Sequence, residues 1–159
     1  NVLLGMSHAS LYTAILPQLA AFDHFKIIAI IRNPVDVILA WQKWPETFIA
    51  KGNPPHLARL WPEAAAIIES AASPLDQMAQ IYELFCARYA ALEEKIQIVK
   101  YEDLTADPSL LSKALGKTLP PSLPALSAPP RQRDMKDADA IRGAMAKYGA
   151  FAKQFYPNL

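Results

Sequence analysis

One segment, KIIAIIRNPVDVILAW at residues 26–41, constrains the fold of this chain more than any other. Its run from Lys26 to Ile31 is rich in β-branched residues and shows no polar–apolar alternation, the pattern of a parallel strand covered on both faces. A helix has to begin almost at once. Asn33 can cap it, and Pro34 suits the first helical position because its ring presets a helical φ and it has no N–H to leave unpaired. Asp36 places a carboxylate where the helix dipole favours negative charge. A strand that turns directly into a helix is half of a βαβ unit, so the expected class is α/β.

The rest of the chain extends that reading. Two further short apolar runs, Val2–Leu4 and Ile96–Tyr101, read as strands, and helical patterns separate all three. The strongest helix spans Leu75–Glu94, with Met78, Tyr82, Phe85, Cys86 and Tyr89 on its apolar stripe and Ser73 and Pro74 as its start signal. A shorter helix opens at Asp107 and Pro108 and stops at Gly116, and another runs from Ala138 to Gln154 with Ile141, Met145 and Tyr148 on one face. Between them, residues 118–130 hold Pro120, Pro121, Pro124, Pro129 and Pro130, which exclude regular helix and leave an extended proline-rich connection. The expectation is a single domain of 159 residues built as a parallel sheet flanked by helices. Because Asn1 leads straight into an apolar strand, the chain reads as such a domain missing its N-terminal portion.

Composition narrows function by exclusion. With 16 Lys+Arg against 15 Asp+Glu, the chain lacks the broad positive field of a nucleic-acid binder, so no such partner is expected. A single cysteine, Cys86, rules out an internal disulfide and a cysteine-cluster zinc site; no metal is expected, and a reducing, cytoplasmic compartment is the simplest assumption. No apolar run approaches the roughly 20 residues that span a bilayer.

Chemistry concentrates at Arg32. A helix N-terminus at the carboxyl edge of a parallel sheet offers backbone N–H groups, and an arginine beside it adds a planar fork, a combination suited to phosphate or sulfate. The same arginine can instead pair with Asp36, and the spacing leaves both readings open.

IIRNPVDVILAW resembles the 3'-phosphate-binding motif of the soluble PAPS-dependent sulfotransferases, in which a strand ends in Arg-Asn-Pro, an Asp follows and a helix continues. IVKYEDLTADP, residues 98–108, is similar to that family's later Tyr-Glu-Asp-Leu signature, and the two motifs stand in the family's order. The resemblance implies a P-loop-NTPase-like fold and transfer of a sulfonate group from 3'-phosphoadenosine-5'-phosphosulfate, leaving 3',5'-ADP. The acceptor would be the hydroxyl or amine of a small molecule or glycan. Carried over position by position, it makes His8 in VLLGMSHASLY the catalytic base, and Arg32 and Asn33 the holders of the 3'-phosphate. It also places Tyr101 near the nucleotide. Arg131 and Arg133 are candidate cations where the family closes a loop over the nucleotide.

The family's late Arg-Lys-Gly-type loop itself is not recognisable in this chain, which departs from the family in two further respects. Nothing before His8 resembles the Gly-rich loop whose lysine steadies the leaving phosphate, and Ala40 stands where the family places a serine on the 3'-phosphate. These departures keep a second reading open, a non-catalytic module that binds a nucleotide or a partner. A third comes from Gly5, Met6, Ser7, His8 and Ala9, similar to the nucleophile elbow of α/β-hydrolases, with Ser7 as nucleophile and His24 or His56 as the only downstream histidines. Outside that reading, both histidines read as surface residues. Trp41, Trp44, Phe48 and Trp61 could line an apolar acceptor pocket or pack as core.

Overall fold

The computed structural model describes residues 9–43, 59–118 and 135–159. The elements run α1 (Ala9–Ala14), α2 (Leu16–Ala20), β1 (Ile27–Ile31), α3 (Pro34–Lys43), α4 (Pro62–Ser70) and α5 (Pro74–Ala90). They continue with β2 (Ile96–Lys100), α6 (Tyr101–Ala106), α7 (Ser109–Leu115), α8 (Met135–Tyr148) and α9 (Ala152–Phe155). The expected strand Val2–Leu4, His8 and nearly all of the proline-rich connection lie outside the described residues.

β1 and β2 pair in parallel, Ile27 opposite Ile96 through Ile31 opposite Lys100. Parallel strands cannot be joined by a tight turn, and helices α3 to α5 fill the crossover between them. The α/β class expected from the sequence is therefore present, as a two-stranded parallel sheet among the described residues.

Side chains alternate across a strand, so Ile27, Ala29 and Ile31 join Ile96 and Ile98 on the face turned to the main core. That core is completed by Ile38 of α3, Ile81 and Phe85 of α5, and Ile141 and Met145 of α8. The opposite face falls short of the expected cover on both faces among the described residues. Among the described residues, Ile28 and Val99 meet only a small cluster with Leu104 and Ala114, and Ile30 is 49% exposed. The uniformly apolar run of β1 thus serves one deep face and one thin one.

Local signals placed the starts of two long helices, α3 and α5. The Asn33 side chain accepts the Val35 N–H at 2.9 Å and starts α3, while Ser73 Oγ accepts the Asp76 N–H at 3.1 Å and starts α5. α7 ends at Gly116, whose φ of 65° is the left-handed cap conformation that glycine adopts without a Cβ penalty.

The helix ends are less legible. α5 stops at Ala90, and residues 91–95 form a turn instead of continuing to Glu94. The last long helix breaks at Tyr148 instead of running to Gln154. A Cβ on Gly149 would lie 2.6 Å from the Met145 carbonyl oxygen, so this close approach requires glycine. The Glu83 carboxylate then starts α9 from outside, accepting the N–H groups of Phe151 and Ala152 at 2.6 and 2.9 Å.

Helix α4 was not anticipated, although Pro62 at its first turn followed by Glu63 is a usable start signal. It delivers Trp61, fully buried, flat against Phe85 with ring centroids 5.2 Å apart. Arg88 covers the indole at 4.9 Å and donates to the Ala14 carbonyl at 2.6 Å, tying α1 to this aromatic stack. Among the described residues no helix is long and apolar enough to cross a membrane.

Candidate functional site

The carboxyl edge of the sheet is where the two sequence motifs meet. β1 exits through Arg32 and Asn33 into α3, and β2 exits through Tyr101 and Glu102 of α6. Because Ile31 and Lys100 are register partners, the exits lie side by side. The apolar pattern predicts a strand that runs from Ile96 through Tyr101. Tyr101 instead opens α6, and this turn brings its ring beneath the Arg32 guanidinium, 5.0 Å from carbon to ring centroid.

The peptide between Arg32 and Asn33 is held from both sides. Its carbonyl accepts the Tyr82 hydroxyl at 2.6 Å, and its N–H donates to Glu102 Oε1 at 2.8 Å. Glu102 Oε2 accepts the Tyr156 hydroxyl at 2.9 Å, and the ring of Tyr156 lies under Lys100, whose Nζ is 5.3 Å from its centroid. Burial pushes the Tyr82 phenol far above its ordinary range. Tyr156 is pushed up as well, first by burial and then by the Glu102 charge. Both phenols therefore stay protonated and act as donors.

Arg32 itself is partly committed. Its Nη2 lies 3.6 Å from Asp36 Oδ2, a looser approach than a close charge-assisted hydrogen bond, and Asp36 is buried. The Arg32 Nε–H is buried with no acceptor among the described residues, while the side chain as a whole is 30% exposed. A buried donor left without a partner costs stability. The sequence left two roles open for this arginine, and the Asp36 contact exists without saturating the guanidinium.

For a nucleotide 3'-phosphate, the fit is partial and specific. Arg32 offers a cationic fork whose Nε–H has no acceptor among the described residues, and the Tyr101 ring lies beneath that fork. Asn33 contributes differently from the expectation, since its N–H is taken by Glu102 and its side chain caps α3. Pro34 has no N–H to offer. Ala40 is exposed on α3 and brings no hydroxyl.

His8, Arg131 and Arg133 lie outside the described residues, as do Ser7, Trp44, Phe48 and His56. Trp61 is core, so it does not line an acceptor pocket, and Trp41 is half-buried against Tyr82 and Phe85. His24 is exposed beside an open depression of about 460 Å³ at the amino ends of the strands, lined also by Asp23, Lys26, Glu94 and Lys95. That depression is at the opposite end of the sheet from Arg32 and has mixed charge. No group of three or more His, Cys, Asp or Glu among the described residues could hold a metal ion.

Three residues of the Arg32 surroundings escaped the sequence reading. Glu102 stood inside the quoted Tyr-Glu-Asp-Leu motif, and its acidity beside a strand exit was the available signal. Tyr82 was counted as core by its helical spacing, and nothing local distinguishes Tyr156. Compared with protein-family models, curated proteins and solved structures, the chain matches none.

Proposed function

We propose that this chain is the nucleotide-binding part of a PAPS-dependent sulfotransferase, with Arg32 holding the 3'-phosphate. The observation that supports the reading is the convergence of its two motifs. The Arg-Asn-Pro and Tyr-Glu-Asp-Leu segments meet at the carboxyl edge of a parallel strand pair, joined by the Asn33–Glu102 hydrogen bond and the Arg32–Tyr101 stack. Ligands of open α/β sheets bind outside the carboxyl ends of the strands.

The bound nucleotide would supply the sulfonate group. Arg32 neutralises the 3'-phosphate with charge-assisted hydrogen bonds, and its Nε–H, without an acceptor among the described residues, gains one. The Tyr101 ring supports the guanidinium from below through a cation–π contact. By resemblance, His8 takes the proton of the acceptor hydroxyl or amine, as a neutral imidazole can near pH 7.

A second reading, a nucleotide-binding module of the same fold without transfer, is favoured by Ala40 and by the partial commitment of Arg32 to Asp36. Calorimetric titration with 3',5'-ADP tests what both readings share. Saturable binding by the chain, absent in an Arg32→Ala variant of unchanged circular dichroism, is the expected result; equal binding by both proteins refutes the assignment. Sulfonate transfer to a phenol from the full nucleotide then separates enzyme from binding module.

A further inference from the structure

The peptide between Arg32 and Asn33 lies midway along the link from β1 to α3, and both of its polar groups are taken by side chains distant in sequence. Tyr82 reaches the carbonyl from a position 50 residues away, and Glu102 reaches the N–H from 69 residues away. Tyr156, 54 residues beyond Glu102, occupies the other carboxylate oxygen. A peptide plane held at both ends resists rotation, and the Cα of Arg32 is fixed with it. The next residue before Glu102 is Tyr101, which supports the guanidinium. Residues 101 and 102 therefore set both the backbone beneath Arg32 and the floor beneath its head group.

We propose that Glu102 is a positioning residue for the oxyanion site, acting through the Asn33 N–H with help from Tyr82 and Tyr156. The inference rests on the anion-binding role assigned to Arg32 above. It makes an unusual prediction about sign. A carboxylate hydrogen-bonded to the residue next to Arg32 opposes anion binding through charge, so if Glu102 were an electrostatic bystander its removal would tighten binding. A positioning residue does the reverse.

The test is calorimetry with 3',5'-ADP on the full chain and on the Glu102→Ala, Glu102→Gln, Tyr82→Phe and Tyr156→Phe variants. Circular dichroism and the exchange rate of the Asn33 amide proton are read on each. Glu102→Ala is expected to weaken binding about tenfold or more despite losing a negative charge, with faster Asn33 exchange. Glu102→Gln keeps an acceptor for that N–H and should stay within about threefold of the parent. Unchanged or tighter binding by folded Glu102→Ala overturns the inference. Should that variant not fold, Tyr82→Phe and Tyr156→Phe carry the test, each expected to weaken binding severalfold; parent-like affinity in both overturns it. If Arg32→Ala loses binding while these variants do not, only the positioning role fails. If the parent chain does not bind 3',5'-ADP, the anion-site reading fails and this inference fails with it.

Discussion

The Arg32 guanidinium rests on the ring of Tyr101, 5.0 Å from its centroid, so the residue that leaves one parallel strand is supported by the residue that leaves its neighbour. This contact depends on the ring face and not on the hydroxyl. Tyr101→Phe should therefore retain 3',5'-ADP affinity, whereas Tyr101→Ala should lose about 1 kcal/mol of it, the usual scale of a partly exposed cation–π contact. Calorimetry on the two variants distinguishes a platform from a hydroxyl donor, and equal losses in both would contradict the platform.

Gly149 terminates α8 where a Cβ would lie 2.6 Å from the Met145 carbonyl oxygen and 2.8 Å from its Cε. Backbone cannot yield as a flexible side-chain tip does. Gly149→Ala is expected to destabilise the fold by about 1–3 kcal/mol, visible as a lower denaturant midpoint at unchanged slope. A midpoint at or above that of the parent would show that the approach relaxes freely.

Tyr82, Tyr89 and Tyr156 all have phenols raised above the ordinary value of 10.0, each chiefly by burial. Their protonated forms are favoured in the folded state, so their contribution is complete below pH 10 and is lost as pH climbs above it. Phenolate absorbance from Tyr82 and Tyr156 should appear only with alkaline unfolding, and that of Tyr89 later than that of an ordinary phenol. Reversible ionisation of all six tyrosines in folded protein near pH 10 would contradict this.

Cys86 is fully buried and its thiol is pushed up, mainly by burial. The thiolate is the reactive form, so a thiol reagent should label the native chain negligibly and the urea-unfolded chain completely. Rapid native labelling would mean that α5 opens locally on the timescale of the reaction.

Ser73→Ala removes the cap of α5, the helix that carries Met78, Ile81, Tyr82 and Phe85 into the core. The expected cost is about 1 kcal/mol, read from thermal or urea unfolding. Ser73→Asp, which keeps an acceptor, should recover most of it.

Caps and stops at Asn33, Ser73 and Gly116 were legible in the sequence because each depends on partners within a few residues. The pairing of Arg32 with Asp36 was visible as one of two possibilities for the same reason, being a contact across a single helical turn. The motif residues Tyr101 and Glu102 could be named but not given their contacts. Which side chain supports a guanidinium depends on strand register, and register is a property of two strands together.

The amino-acid sequence by itself determined the α/β character, the strand that runs into a capped helix, and the placement of Arg32 at that junction. It did so because hydrophobic periodicity and capping are local. Only the tertiary structure decided that Tyr82, Glu102 and Tyr156 converge on one peptide, that Trp61 belongs to the core, and that α8 ends at Gly149. The first two rest on approach between segments far apart in the chain, where packing, and not propensity, selects the partner, and the third is completed by Glu83 of α5, which accepts the Phe151 and Ala152 N–H groups just beyond the glycine.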